Sequence, residues 1–235
     1  GLFKGMPLPN WNLKYRGLMR IGWFKDNFKN FSINHGYRAS YTLGSYSYNT
    51  EYYKAPNEVN KFGNYPSEDV VNNATLFEQF NPLIRLDVET KSSIRMSLEM
   101  RKDRMLSLSF DNNLLTETNG NDFVLGLGYR VKDVGFNSMY ANNGMGGRIA
   151  SDINIKQDFT LTKRETVVRY LDYGNSQTGG GQDMWSLRLT ADYMLSKNLT
   201  AIFFYDHSFS KAVISTMYPI TNIRAGFTMR YNFGN

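Results

Sequence analysis

The chain has 235 residues, no cysteine and a formal charge of +6, from 27 Lys plus Arg against 21 Asp plus Glu. Without cysteine it can form no disulfide, ligate no iron–sulfur cluster and perform no thiol catalysis. The basic residues are spread singly, with none of the runs that mark a nucleic-acid partner. No stretch approaches the roughly 20 apolar residues of a membrane-spanning helix, and mean hydropathy is -0.46.

Hydropathy is blind to one class of membrane protein. In a barrel strand, every second residue faces a wet lumen and cancels its lipid-facing neighbour in any window average. Aromatic residues make up 15% of the chain, with 16 Tyr and 16 Phe, and interfacial girdles are one use for so many rings with polar tips.

Taken in order, the predicted elements are almost all strands, because apolar and polar residues alternate with the two-residue period of extended chain. Trp11, Leu13 and Tyr15 alternate with Asn12, Lys14 and Arg16. Between Gly17 and Asn30 the period changes: Ile21, Phe24 and Phe28 fall beside Arg20, Lys25 and Lys29, predicting a short amphipathic helix near 18–29. Such a helix either plugs a gap between strands or lies on a lipid or partner surface.

Alternation resumes from Phe31 to Gly44, then over 84–89, 94–101 and 106–110. It continues over 123–131, after an Asn119-Gly120 turn signal, and over 149–161. Sorting is weaker over 166–172 and 199–207, and clean again over 185–196 and 222–233. In the last segment Ile223, Ala225, Phe227, Met229, Tyr231 and Phe233 oppose Asn222, Arg224, Gly226, Thr228, Arg230 and Asn232. The pattern predicts roughly eleven strands.

Connection lengths predict sidedness. Long segments near 52–82, 133–147, 174–183 and 208–220 alternate with short ones at 91–93, 119–121, 163–165 and 196–198; only the 101–104 turn is short in a long slot. Short periplasmic turns opposite long outer loops are the signature of outer-membrane barrels, with the C-terminus periplasmic. The expected fold class is therefore all-β, a transmembrane antiparallel β-barrel. Eleven strands is an odd number, whereas bacterial single-chain barrels close with an even one, so the chain is expected to be the C-terminal sector of a larger barrel.

The two surfaces follow from the alternation. Arg38, Arg85, Asp87, Glu89, Arg95, Glu99, Arg188, Asp192, Arg224 and Arg230 are candidate lumen-facing residues, and Trp185, Tyr193, Phe227, Tyr231 and Phe233 are candidate lipid-facing or girdle residues. Gly226, Tyr231 and Phe233 are candidates for the signal read by the insertion machinery, although Gly234 and Asn235 extend past the closing aromatic.

Catalytic chemistry is not indicated. His35 and His207 sit far apart inside strand patterns, and Gly179-Gly180-Gly181 lacks the Lys-Ser/Thr of a phosphate loop and reads as a flexible outer loop. Asp87, Glu89 and Glu99 share a face with Arg85, Arg95 and Arg101, which reads as mixed lumen charge. No metal, cofactor or enzymatic activity is expected. The start of the chain carries no secretory signal, so the signal was removed or the residues belong to a longer precursor.

Several stretches carry a family resemblance: LPNWNLKYRGLMRIGWFKDNFKNFSINHGYRASYTLGSY, FNPLIRLDVETKSSIRMSLEMRKDRMLSLSFDNNLLTE, DFVLGLGYRVKD, SDINIKQDFTLTKRETVVRYLD and LTADYMLSKNLTAIFFYDHSFSKAVISTMYPITNIRAGFTMRYNF. In order and through turns, they resemble the C-terminal region of the SprA/Sov family, outer-membrane translocons of the type IX secretion system. The resemblance implies a sector of a very large barrel, paired with the remainder of the same barrel, through which folded cargo proteins reach the cell surface. It also implies a PorV-type shuttle protein, a periplasmic plug protein and outer-membrane lipid as partners.

Two other expectations stand beside it. A self-contained porin or lipid-modifying barrel of ten to twelve strands requires its first and last strands to pair. A soluble all-β adhesin or structural domain requires its apolar faces to bury against each other.

Overall fold

The computed structural model describes residues 10–59, 63–138, 147–195, 199–214 and 217–233. Nine strands follow one another: β1 (Trp11–Tyr15), β2 (Phe28–Tyr48), β3 (Asp69–Thr90), β4 (Ile94–Ser109), β5 (Leu114–Ser138), β6 (Gly147–Tyr170), β7 (Asn175–Met194), β8 (Leu199–Ala212) and β9 (Ile220–Tyr231). They form one antiparallel sheet in chain order, and β1 and β9 are its two edges, so the sheet is open. Two short helices occupy connections: α1 (Gly22–Asn27), entered through a 3-10 turn at Gly17–Arg20, and α2 (Thr50–Lys54).

Nine strands replace the expected eleven because two predicted turns, 101–104 and 163–165, are strand interior; a third, at Asn119-Gly120, is interior as well, its turn falling instead at 110–113. Residues 101–104 lie inside β4, where Arg101 bonds Glu99 and Asp103 bonds Arg164 on one face while Arg104 bonds Glu117 on the other. Charge that finds partners on both faces does not break a strand. Asn119-Gly120 lies inside β5, and the glycine is there for width: a Cβ would come within 2.7 Å of Arg164 Nη1 and closer still to Asp103 Oδ1. Residues 163–165 lie inside β6, facing Asn121 and Asn119.

The outer loop expected at 174–183 is instead mostly β7, in which Gly180 and Gly181 pair with Thr166 and Glu165 and Gly179 is the bulged residue. Gly181, next to the bulge, has φ +148°, and a Cβ there would strike the Arg164 carbonyl, so glycine is required. Similarly, β3 takes up 69–82 of the expected 52–82 loop, β5 and β6 take up both ends of 133–147, and β8 runs to Ala212. Residues 139–146, the turn at 196–198, and Gly234 and Asn235 lie outside the described residues.

The longer strands also change the sidedness. The β1–β2, β3–β4, β5–β6 and β7–β8 junctions share one end of the sheet with the C-terminal end of β9, while the β2–β3, β4–β5, β6–β7 and β8–β9 junctions share the other. The β5–β6 junction, in the expected outer loop 133–147, is thus at the C-terminal end, not opposite it. The turns at 110–113 and 171–174 are only one residue longer than that at 91–93, so long and short connections do not alternate.

No second layer covers this sheet. A folded monomer of 27.1 kDa exposes about 10,800 Å², whereas this chain exposes 17027 Å². Among the described residues the only buried apolar side chains are Ala39, Ala74 and Ala201. A sheet with an apolar face must bury that face against something, and the described residues supply no layer to cover it.

Candidate functional site

The register carries each predicted face intact across the sheet. Leu13, His35, Ile33, Leu86, Leu98, Leu125, Phe159, Leu187, His207 and Ile223 belong to the same side, linked strand to strand by direct pairing or two-residue steps. The ten candidate lumen residues all project from the opposite side: for example Arg85 pairs with Glu99, Glu89 with Arg95, and Arg188 with Asp206, which pairs in turn with Arg224.

The polar face is laced with ion pairs. Arg85 bonds Asp87 at 2.9 Å and Glu99 at 3.2 Å, and Arg101 closes on the other oxygen of Glu99. Asp206 lies between Arg188 at 3.0 Å and Arg224 at 3.1 Å. With the arginines largely exposed, each pair contributes only about 0–1 kcal/mol. Their effect is to set opposite charges side by side, while Ile202 and Phe204 of β8 are apolar residues on this same face. Over Gly126 and Gly128 this face forms a hollow of about 510 Å³ lined by Asp87, Glu89, Asp158, Arg95, Lys132 and Lys156. Both signs of charge are mixed there, and among the described residues no group of acidic and histidine side chains could hold a metal.

The apolar face has a defined height. On β5 it runs from Phe123 to Val131, on β6 from Ile153 to Leu161 with Gln157 at its centre, on β7 from Trp185 to Tyr193, and on β9 from Ile223 to Tyr231; His207 is the polar member on β8. Nine residues is what a tilted strand needs to cross a bilayer's hydrocarbon. The side chains lie bare: Met96 is 44% exposed, Phe203 43%, Phe227 59% and Met229 61%.

One edge of this band is drawn by a single cross-strand row. Trp11, Tyr37, Phe80, Lys102, Asn121, Lys163, Asp183 and Lys211 are successive register partners from β1 to β8. Beyond it the same face is mixed: Tyr37 donates to Glu78 at 2.9 Å and Glu117 is held by Arg104 at 2.9 Å and by Arg169, beside Leu76 and Leu106. This row is absent from the predicted site residues. Its signal is in the sequence nonetheless: each of its polar members lies two residues past the last apolar residue, as Lys102 follows Met100, Asn121 precedes Phe123, Lys163 follows Leu161 and Lys211 follows Phe209.

The predicted girdle residues all lie on the apolar face, at different heights. Trp185 is not near a strand end, as the alternation implies, but well inside β7 at the row's edge of the band, stacked on Phe209. Tyr193 and Tyr231 lie toward the opposite edge, where the Tyr193 hydroxyl donates to the Val134 carbonyl at 2.8 Å. Phe233 follows the end of β9 and meets Tyr231 edge-on at 4.8 Å. Gly226 is on the polar face under the Phe204 ring, where a Cβ would come 2.5 Å from Cζ.

At the C-terminal end, α1 folds toward the apolar side: Phe24 meets Phe31 at 5.0 Å, while Trp23 remains 63% exposed. Both histidines lie on the apolar face. The Nδ1 of His35 donates to the Leu83 carbonyl at 2.6 Å, and His207 packs against Trp185 with ring centroids 4.6 Å apart. The two are on distant strands, and the Tyr205 hydroxyl lies 3.4 Å from His207 Nδ1.

Comparison with protein-family models and with curated proteins gives no match.

Proposed function

We propose that this chain is a sector of an outer-membrane β-barrel, its apolar band facing lipid and its ion-paired face lining an aqueous lumen. The observation that carries the reading is the uncovered, nine-residue-high apolar band on one side of a sheet whose other side is saturated with paired charge. A soluble sandwich would pack such a band against a second layer, and the described residues supply none.

The open edges support a sector over a self-contained barrel. A lone barrel abolishes its edges by pairing first and last strands, whereas β1 and β9 here lie at opposite margins of nine strands. With the sequence resemblance added, the translocated species is folded cargo protein in a SprA/Sov-type pore of type IX secretion. A wide lumen lined by mixed Arg, Asp, Glu, Ser and Thr stays hydrated and offers cargo no adhesive surface. The remainder of the barrel, a PorV-type shuttle and a plug protein are the corresponding partners.

The test is the intact mass of the native detergent-extracted polypeptide, joined to a secretion assay. A mass several times 27.1 kDa, and loss of surface cargo when β5–β6 is deleted from it, is the expected result. A polypeptide near that mass that runs as a heat-modifiable barrel overturns the sector reading and favours a small porin.

A further inference from the structure

The lysines of the cross-strand row sit where a lipid headgroup would. Lys102, Lys163 and Lys211 lie on alternate strands β4, β6 and β8, so neighbours are about 10 Å apart given the spacing of paired strands. Asn121 and Asp183 fill the positions between them. All three lysines are exposed, and among the described residues none forms an ion pair, although the arginines around them nearly all do. Immediately beneath the row is a groove of about 530 Å³ on the same face, floored by Met100, Phe123, Leu161, Trp185 and Phe209. Unpaired ammonium groups above an apolar groove are complementary to a molecule with phosphates at one end and acyl chains at the other. Lysine suits this position, because its stem lies along the apolar surface while its head reaches the headgroup layer.

We propose that this groove binds an anionic lipid whose headgroup carries two phosphates, with Lys163 central and Lys102 and Lys211 flanking. The outer lysines, Lys102 and Lys211, are four strands or about 19 Å apart, so one phosphate engages at most neighbouring lysines of the row, whereas a disaccharide-borne pair of phosphates matches its whole span. The lipid that combines this chemistry with multiple acyl chains in an outer leaflet is lipid A. The inference rests on the membrane reading above, since it assigns the apolar band to acyl chains.

The full-length protein and its K102Q/K163Q/K211Q variant are reconstituted into neutral phosphatidylcholine vesicles, floated, and assayed for retention of added diphosphoryl lipid A, with phosphatidylglycerol as the single-phosphate control. Each lysine near an anionic headgroup contributes an attraction of about fivefold in affinity. The expected result is that both proteins float, and that the variant retains lipid A about a hundredfold more weakly, with phosphatidylglycerol held weakly by both. A K132Q/K156Q variant, altered on the polar face, retains lipid A as wild type does. Equal retention by wild type and triple variant overturns the site, and equal binding of phosphatidylglycerol and lipid A by the wild type overturns the two-phosphate assignment. If the wild type fails to float with neutral vesicles, the membrane reading itself is overturned and the site falls with it.

Discussion

Trp185 of β7 lies directly across from Phe209 of β8, their rings stacked at 23° with centroids 6.2 Å apart, one side-chain level below the Asp183–Lys211 pair. Over that single step the sheet's face changes from aromatic to charged. The height of the apolar band is therefore set by side-chain identity, since β7 and β8 both continue past the boundary.

The boundary predicts a depth-dependent cost of charge on one face. Leu189 lies in the middle of the band, and Leu106 projects from the same face beyond the lysine row. In a bilayer, Leu189→Arg should destabilise the folded protein by about 2–4 kcal/mol and Leu106→Arg by about 0–1 kcal/mol. Chemical denaturation of the protein in vesicles reads the difference. Equal costs would remove the hydrocarbon boundary.

Gly226 predicts a packing coupling on the opposite face. Because Phe204 covers the place where its Cβ would be, Gly226→Ala forces the ring aside at a cost of about 1–3 kcal/mol. Phe204→Leu in the same molecule should recover most of that loss. A double-mutant cycle showing simple additivity would refute the contact.

Outside the band, Glu117 predicts an acid-sensitive clasp. Burial alone pushes its carboxyl up, but the Asn119 hydrogen bond and the Arg104 and Arg169 guanidiniums outweigh it and hold the group below its ordinary value of 4.5. A depressed carboxylate stabilises the fold fully above its unfolded value, and that contribution disappears as pH falls through the folded value. Wild type should therefore lose more stability than Glu117→Gln between pH 7 and about pH 3, with the variant already weaker at pH 7. Denaturation midpoints at the two pH values check this; parallel losses contradict it.

The end of β9 predicts an assembly defect. Tyr231 and Phe233 pair edge-on at the exposed end of the last strand. Replacing both by Ser should deplete the full-length protein from outer membranes by severalfold while synthesis continues, as fractionation and immunoblotting would measure. Undiminished assembly would withdraw their role as an insertion signal.

How much of this was legible in the sequence differs by feature. The sorting of Ile223 to Tyr231 against Asn222 to Arg230 is a local property of extended chain, and the structure keeps it. Strand ends were less legible because the cues used for turns here serve other purposes. Gly120 makes room for Asp103 and Arg164, Gly181 makes room for the β6 backbone, and Asp103 and Arg104 pair across strands. Such partners are not adjacent in sequence: Asp103 and Arg164 are 61 positions apart. The lysine row was hidden for the same reason, since Lys102, Lys163 and Lys211 become neighbours only once register is known.

The central claim, one face to lipid and the other to water, is tested most directly by a spin-label scan along β9. These residues contain no cysteine, so once any cysteine elsewhere in the full-length protein is replaced, single cysteines can be placed at 223 to 230 in native outer membranes. The account predicts that labels at Ile223, Ala225, Phe227 and Met229 collide with oxygen and are shielded from a water-soluble nickel chelate, while those at Arg224, Thr228 and Arg230 show the reverse. Labels at the apolar positions that are immobile and inaccessible to both reagents would mean that protein, not lipid, covers this face, and would contradict the account.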